Sequence, residues 1–247
     1  MTISPTARTS LALGTRPAGS PIGSKISNPK IMVIADSHIG VGIVATGNSW
    51  IQPVDAMLTA SGITASWVGN LTTGSPARSH RGVAGSTVPN HRAGGSVDST
   101  IYMATYTPDI IVVALGTNDG LTDTDRDNYD TNVAGLVAEC KAAYAGLNRV
   151  VLCKTFATED TTRAARIEVI ANTEVPSAKT LIEATGVGVV VCDYRVLIPN
   201  GHLRRSEGTA KVHMESDDAY ALSAECMFPA IVNACGYNAV WVGDTVS

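Results

Sequence analysis

Four positions spread along the chain carry the residue types that acyl transfer requires. They are Ser37, Gly85, Asn118 and His213. A serine hydroxyl becomes an effective nucleophile when a base such as a histidine imidazole takes its proton. The oxyanion of the tetrahedral intermediate then needs preorganised donors, for which backbone N–H groups and an asparagine amide are suitable. A glycine allows the backbone to approach a substrate closely because it has no side chain. These four residues would form an active site only if the fold brings them together.

Two of these residues follow strands that the sequence predicts to be fully buried. Residues 31–35 (IMVIA) show no apolar–polar alternation, and the same holds for 109–115 (DIIVVAL). Such runs are typical of central strands in a parallel sheet, which are covered on both faces. Ser37 comes just after the first run, and Asn118 just after the second. Because ligands of open α/β sheets bind at the carboxyl ends of the strands, both side chains are expected at the binding edge.

The rest of the chain predicts a regular alternation of strands and helices. Further strands are expected at 63–69, 150–154 and 187–193, and helices at 48–60, 97–106, 129–147, 161–185 with an interruption at Pro176, and after Ser216. This pattern predicts an α/β fold: a three-layer α/β/α domain with a doubly wound, mostly parallel, five-stranded sheet. Residues 1–29, rich in Ser, Thr, Pro and Gly, are expected to be a flexible or extended arm, and 30–247 to form one domain. The polar stretch 70–96 is interpreted as a long functional loop.

The order and spacing of the four residues resemble those of the SGNH (GDSL-like) hydrolase family, over about residues 30–235. Gly116-Thr117-Asn118-Asp119 is the most specific motif, followed by the segment 212–216 (VHMES). The resemblance implies a flavodoxin-like fold and a serine esterase without metal or organic cofactor. It assigns Ser37 as nucleophile, His213 as base, and the N–H groups of Ser37 and Gly85 with the Asn118 amide as the oxyanion hole. Within the family, the segments 67–70, 72–74 and 80–87 look most like carbohydrate esterases that remove acetyl groups from polysaccharides.

Two positions depart from the family pattern. Ala35 replaces the glycine of the usual Gly-Asp-Ser, and Ala210 stands where the family has an aspartate three residues before the histidine. Loss of a carboxylate that orients the histidine ring can cost orders of magnitude in rate. Three explanations stay open: a Ser37/His213 dyad, a chain that has lost catalysis and binds carbohydrate, or an engineered alanine. We favour the dyad as a hypothesis, with the ring held by a backbone carbonyl or by one of three carboxylates, Glu207, Asp193 or Glu215.

Two other interpretations compete for the first strand end. Asp36-x-His38 resembles the opening motif of the calcineurin-like metallophosphoesterases, which gather ligands around two metals. The nearest matches to that family's other motifs, at 68–70, 116–119 and 201–204, each lack required ligands. Residues 40–45 (GVGIVA) resemble a dinucleotide fingerprint, but that fingerprint should begin at the strand end and be followed by an acidic residue after the second strand. A metal-dependent phosphoesterase is therefore the third hypothesis, and dinucleotide binding is disfavoured.

Composition limits the partners. Of 247 residues, 45% are hydrophobic, and 18 basic against 22 acidic residues give a net charge of −4 without a basic run. Nucleic acid and anionic membranes are therefore not implied partners, and a small-molecule or polysaccharide ester is the expected substrate. The five cysteines lack zinc-ligand spacing and are interpreted as core thiols. No standard signal or ~20-residue apolar run occurs, so the expectation is a cytoplasmic protein or export by a non-standard route. Four side chains of the 70–96 loop are candidates for substrate contact: Arg78, His80, Arg81 and His91.

Overall fold

The computed structural model describes residues 11–15, 23–39, 49–155, 158, 160–193 and 217–241, with the backbone alone at 11–15, 217–219 and 239–241. Its main sheet is mostly parallel. The strands, including two that pair apart from this sheet, are β1 Leu11–Thr15, β2 Lys30–Ala35, β3 Ser66–Val68, β4 Leu71–Thr73, β5 Arg78–Gly82, β6 Ile110–Ala114, β7 Arg149–Lys154, β8 Gly188–Asp193 and β9 Tyr237–Trp241. The two outside it are β1 and β9, which pair antiparallel with each other.

The parallel strands lie in the order β3-β2-β6-β7-β8. This is the flavodoxin-like arrangement, in which the chain starts near the middle of the sheet, moves to one side and then crosses to the other. The central strands β2 and β6 run in register from Ile31 opposite Ile110 to Ala35 opposite Ala114. The segments that follow β2 and β6 therefore leave the sheet side by side, at the point where ligands bind in this fold class.

Helices cover both faces of the sheet, as the sequence predicts. The described helices are α1 Ile51–Ala60, α2 Val88–His91, α3 Met103–Tyr106, α4 Asp123–Asp127, α5 Tyr129–Ala143, α6 Thr161–Val169, α7 Val175–Glu183 and α8 Asp217–Ala234. Successive residues of β2 point to opposite faces of the sheet. Val33 therefore packs in the cluster with α1 and α8, and Ile34 packs in the cluster with α5 and α7. Both residues are fully buried, which explains why β2 consists of apolar residues throughout.

The stretch 70–96 differs from the predicted loop. It contains the antiparallel hairpin β4–β5, and β5 adds in parallel to β2, with Ala35 opposite Gly82. β3 pairs with the amino-terminal half of β2, from Lys30 to Met32. One edge of β2 is thus shared by two strands, so the sheet has more strands than the five predicted. The prediction missed β5 because its sequence, RSHRG, has no apolar pattern.

The predicted interruption at Pro176 is also shifted. A turn of π-helix occupies Ile170–Glu174, and Pro176 lies in the first turn of α7. The Val175 N–H donates to Ile170 O, five residues back, so the hydrogen bonding already changes just before Pro176, which has no N–H to donate.

At the end of the sheet where the parallel strands begin, the segment before β2 is hydrogen-bonded to the end of α8. The Arg149 guanidinium donates hydrogen bonds to Ala234 O, at 2.9 Å, and to Ser24 O. The Ile26 N–H donates to Cys235 O at 2.9 Å. These bonds satisfy carbonyls at the carboxyl end of α8 that have no partner within the helix.

The cysteines lie mainly in the core, as predicted. Cys226 is partly exposed, and the other four are buried: Cys140, Cys153, Cys192 and Cys235. None of the helices in the described part of the chain combines the length and hydropathy that a bilayer crossing requires.

Candidate active site

Ser37 begins a single turn of 3₁₀-helix, Ser37–Ile39, directly beyond β2. The turn is fixed by its neighbour, because Asp36 Oδ1 accepts a hydrogen bond from the His38 N–H at 3.0 Å. Ser37 is 8% exposed, whereas Asp36 and His38 are 1% and 2% exposed. Of these three polar residues at the strand end, Ser37 is therefore the most accessible.

Gly85 is the third residue of a tight turn that follows β5. The Ser86 N–H donates to Val83 O at 3.2 Å, and Gly85 has a φ of +75°. A positive φ at this position is the feature that favours glycine in a type II turn. A Cβ atom at Gly85 would meet no atom within 4 Å in the described part of the chain, its two neighbours in sequence aside, so the backbone angle is the reason for glycine here.

Asn118 lies beyond β6, at the start of a 3₁₀ turn, Asp119–Leu121. Its Nδ2 donates a hydrogen bond to Ser86 O at 3.0 Å. An asparagine amide has two N–H bonds, so this bond fixes the plane of the amide and leaves the second N–H for another acceptor.

The sheet register brings these three segments together. Ala35 pairs with Gly82 of β5 on one side and with Ala114 of β6 on the other. Beyond the strands, Ala35 O accepts the Val83 N–H at 2.9 Å, and Ser86 O accepts the Asn118 amide. Ser37, Gly85 and Asn118 therefore belong to three neighbouring segments at one edge of the sheet, joined by hydrogen bonds.

A family model for the GDSL-like lipase/acylhydrolases matches residues 40–220, most of the chain. The chain belongs to this family. It is therefore a carboxylic ester hydrolase, as its sequence motifs predict. The match begins just beyond Ser37 and includes Gly85, Asn118 and His213.

Solved structures with the same fold include several esterases. An acetyl esterase mutant with an acetate ion and a family 3 carbohydrate esterase from Talaromyces cellulolyticus are each 20% identical, with a TM-score of 0.68, and in both cases 84% of this chain and 98% of the other is covered. A family 3 carbohydrate esterase from Clostridium thermocellum is 18% identical over 85% of this chain and 99% of that chain, with a TM-score of 0.66. No curated protein matches the chain in sequence.

The predicted base of this GDSL-like hydrolase, His213, lies outside the described residues, as do Ala210, Glu207 and Glu215. The third candidate for orienting the base, Asp193, ends β8. Its carboxylate forms an ion pair with Lys154 Nζ at 3.3 Å, and both side chains are partly exposed. The assignment of the base and of its orienting group therefore stays a prediction.

Two carboxyl groups lie buried behind Ser37. Asp36 directly follows β2, and Asp119, fully buried, follows Asn118 and accepts the Val88 N–H at 2.9 Å. Burial raises the pKa of Asp36 to about 7, against the opposing effect of the His38 N–H. Burial, together with the negative charge of Asp36, raises the pKa of Asp119 to about 7, against the opposing effect of the Val88 N–H. The pair therefore holds its protons to unusually high pH.

This pair should make the stability of the enzyme fall as pH rises. Both pKa values are higher in the folded state than the ordinary 3.8, so the folded chain binds more protons and loses this contribution between about pH 4 and 7. In Asp36→Asn, the side-chain oxygen can still accept the His38 N–H but nothing titrates at this position. We expect the free energy of unfolding of the variant to increase relative to the parent from pH 5 to pH 8, measured by urea denaturation.

The exposed Asp127 of α4 offers a matched control, because Asp127→Asn removes a carboxylate at the surface. Its stability should follow the parent across this pH range. Parallel pH curves for Asp36→Asn and the parent would rule out Asp36 as a source of the slope.

The four side chains proposed to contact substrate have protein partners instead. Arg78 forms an ion pair with Asp55 at 2.6 Å, and Arg81 lies over the Tyr102 ring, 4.7 Å from its centroid. His80 and His91 are fully buried, so the prediction of substrate contact is wrong for these two. Within the described ranges, no group of three His, Cys, Asp or Glu side chains could hold a metal ion. The glycines of the dinucleotide-like segment 40–45 lie outside those ranges.

Sequence reasoning did not identify the two buried carboxyl groups next to Ser37 and Asn118. Asp36 was considered as a metal ligand, and Asp119 only as the last residue of a motif. Their pairing depends on β2 and β6 being neighbours in the sheet, which a single sequence does not specify. The hydroxyls of Thr117 and Thr155 are 2.8 Å apart, and their hydrogen bond joins the segments that follow β6 and β7.

Proposed function

We propose that the chain is a serine esterase that removes acetyl groups from carbohydrate. Ser37 is the nucleophile, His213 the base, and the Ser37 N–H, the Gly85 N–H and the Asn118 amide form the oxyanion hole. The observation that carries the proposal is the hydrogen bond from Asn118 Nδ2 to Ser86 O, which joins two of the three donor segments at the edge where Ser37 emerges. The preference for acetylated carbohydrate rests on the sequence segments noted above and is supported by the acetyl and carbohydrate esterases among the similar folds.

The reaction follows from these roles. The Ser37 hydroxyl oxygen attacks the ester carbonyl carbon while His213 takes the hydroxyl proton. The carbonyl oxygen becomes an oxyanion, stabilised by donors that are already oriented. The bond to the sugar oxygen then breaks, that oxygen receives the proton from His213, and Ser37 carries the acetyl group. Water attacks the acetyl carbon with His213 again as base, which releases acetate and restores Ser37.

Covalent labelling tests the nucleophile directly. A fluorophosphonate should add once per chain and abolish hydrolysis of p-nitrophenyl acetate with EDTA present. Ser37 lies in the tryptic peptide 31–78, whereas Ser86 and Ser99, which are both within hydrogen-bond distance of His91, lie in the peptides 82–92 and 93–126. Peptide mass analysis should therefore find the label in the first peptide and fragment spectra should place it on Ser37. Label on any other residue, or hydrolysis that EDTA abolishes, would overturn the proposal.

The alanine at position 210 favours a second candidate, a binding protein that has lost catalysis. In that case the parent would bind acetylated xylo-oligosaccharides without hydrolysing them, and Ala210→Asp would restore turnover. An active parent would exclude this candidate, and a further gain in Ala210→Asp would show that the absent carboxylate limits the rate.

A further inference from the structure

A chain of buried side-chain hydrogen bonds leads to the turn that contains Gly85. Ser86 Oγ lies 2.7 Å from Val83 O and 2.8 Å from His91 Nε2. On the other side of the ring, His91 Nδ1 lies 2.7 Å from Ser99 Oγ. His91 and Ser99 are fully buried, and Ser86 is 3% exposed.

The direction of each bond follows from the groups involved. Val83 O is a carbonyl and can only accept, so the single hydrogen of the Ser86 hydroxyl goes to it. Ser86 Oγ must then accept from His91 Nε2–H. Burial lowers the pKa of His91 to about 4, so the ring is neutral near pH 7 and carries one N–H only. His91 Nδ1 therefore accepts the hydrogen of the Ser99 hydroxyl.

A serine and a histidine 2.8 Å apart could also be a nucleophile and its base. Two observations argue against that role for this pair. The Ser86 hydrogen points to Val83 O and not to the imidazole, and both side chains are almost completely enclosed. Neither atom can be reached by an ester carbonyl in this arrangement.

What the bonds hold in place is the turn Val83–Ser86. Val83 O accepts both the backbone N–H and the hydroxyl of Ser86, and the Val83 N–H is bound to Ala35 O. Gly85 lies inside this turn, so the direction of its N–H depends on the turn geometry. A donor stabilises an oxyanion well only when it is already directed at it.

We propose that His91 is a positioning residue, which acts through Ser86 to direct the Gly85 N–H into the oxyanion hole. Ser99 fixes the ring in its Nε2–H tautomer, and the ring fixes the Ser86 hydroxyl. This role rests on the proposed function, because it assigns Gly85 as an oxyanion donor.

Two substitutions at His91 separate the hydrogen bond from the volume of the ring. The Nε2 amide of His91→Gln can still donate to Ser86 Oγ, whereas His91→Leu fills similar space without a donor. Displacement of one donor by about 1 Å should lower kcat for p-nitrophenyl acetate by roughly 10- to 100-fold in His91→Leu. KM of His91→Leu should change by less than about twofold, because the defect concerns the transition state alone. His91→Gln should keep a kcat within about threefold of the parent, because it keeps the donor to Ser86 Oγ.

Cys235→Ala serves as the control for a general loss of packing, because Cys235 is fully buried just after α8, at the end of the sheet where β6 and β7 begin and Ile26 N–H donates to its carbonyl. It should lower the melting temperature and leave kcat unchanged. A folded His91→Leu protein with the kcat of the parent would overturn the proposal, as would a His91→Gln protein as slow as His91→Leu.

Two further measurements do not depend on activity. ¹⁵N-histidine NMR of the parent at pH 6 should show the His91 ring as a neutral Nε2–H tautomer. The His91 signals are assigned as those that are missing from the spectrum of His91→Gln. Amide exchange of the peptide 82–92 should be faster in Ser99→Ala than in the parent. A protonated ring, an Nδ1–H tautomer, or unchanged exchange would overturn the relay. Full activity of Ser37→Ala would instead refute the proposed function, and these two readouts would still decide whether the relay exists.

Discussion

Ser37→Ala is expected to hydrolyse p-nitrophenyl acetate at least ~10⁴-fold more slowly than the parent, because removing the nucleophile of a serine hydrolase leaves only binding and oxyanion stabilisation. Alanine keeps the Ser37 N–H, which is one of the three proposed donors. The residual rate should therefore still exceed that of the uncatalysed reaction. Purified protein, a fixed pH and EDTA in the assay are sufficient to measure the effect.

The matched control is Ser66→Ala, because Ser66 is an exposed serine in β3. It should retain the rate of the parent. Ser37 is largely buried, so melting temperatures of the parent and of Ser37→Ala must also be compared. A folded Ser37→Ala protein that is as active as the parent would show that another group attacks the ester.

Asn118→Ala is expected to reduce kcat by about 10²- to 10³-fold, equivalent to about 3–4 kcal/mol of transition-state stabilisation. Alanine removes the N–H proposed to bind the oxyanion, and it also removes the hydrogen bond to Ser86 O. Both losses act mainly after substrate has bound, so KM should change little. Steady-state kinetics with p-nitrophenyl acetate measures both constants.

Asn128→Ala is the appropriate control for this second variant. Asn128 is exposed, and its Nδ2 also donates to a backbone carbonyl, Thr124 O, at 2.8 Å. Loss of a bond of the same type at an exposed residue that is not a proposed donor should leave kcat as in the parent. An Asn118→Ala protein that loses affinity but keeps kcat would place Asn118 in ground-state binding and remove it from the oxyanion hole.

The central fold could be predicted because its strands are unusually apolar. Residues 31–35 and 110–114 are buried on both faces, so nothing in their sequence competes with a strand assignment. The strand 78–82 was missed since its burial depends on partners elsewhere: the Arg81 guanidinium is covered by the Tyr102 ring and donates to Val97 O. A sequence pattern reports apolar periodicity, and it does not report polar groups that are satisfied by distant residues.

The candidate site, like the fold, could be predicted only in part. Ser37 and Asn118 could be placed at one edge of the sheet because each follows a strand that is evident in the sequence. His91 was one of four candidates for substrate contact because it lies in the long polar stretch 70–96. The ring is instead fully buried, which is tolerated because Ser86 and Ser99 provide hydrogen-bond partners for both of its nitrogens. Such a network becomes visible only when the turn and the segment after α2 are known in three dimensions.

The shared edge of β2 has a consequence for changes in the length of the chain. β3 alone pairs with the half of β2 that is remote from the candidate site, and β5 pairs with the half beside it. The hairpin β4–β5 thus joins the strand on the remote half of β2 to the strand on the half beside the candidate site. Mutations that lengthen or rebuild the exposed tip of this hairpin, residues 75–77, leave the pairing of β3 with β2 intact. Length changes at this tip are therefore expected to leave the candidate site unchanged, because the tip lies at the opposite end of β5 from Gly85.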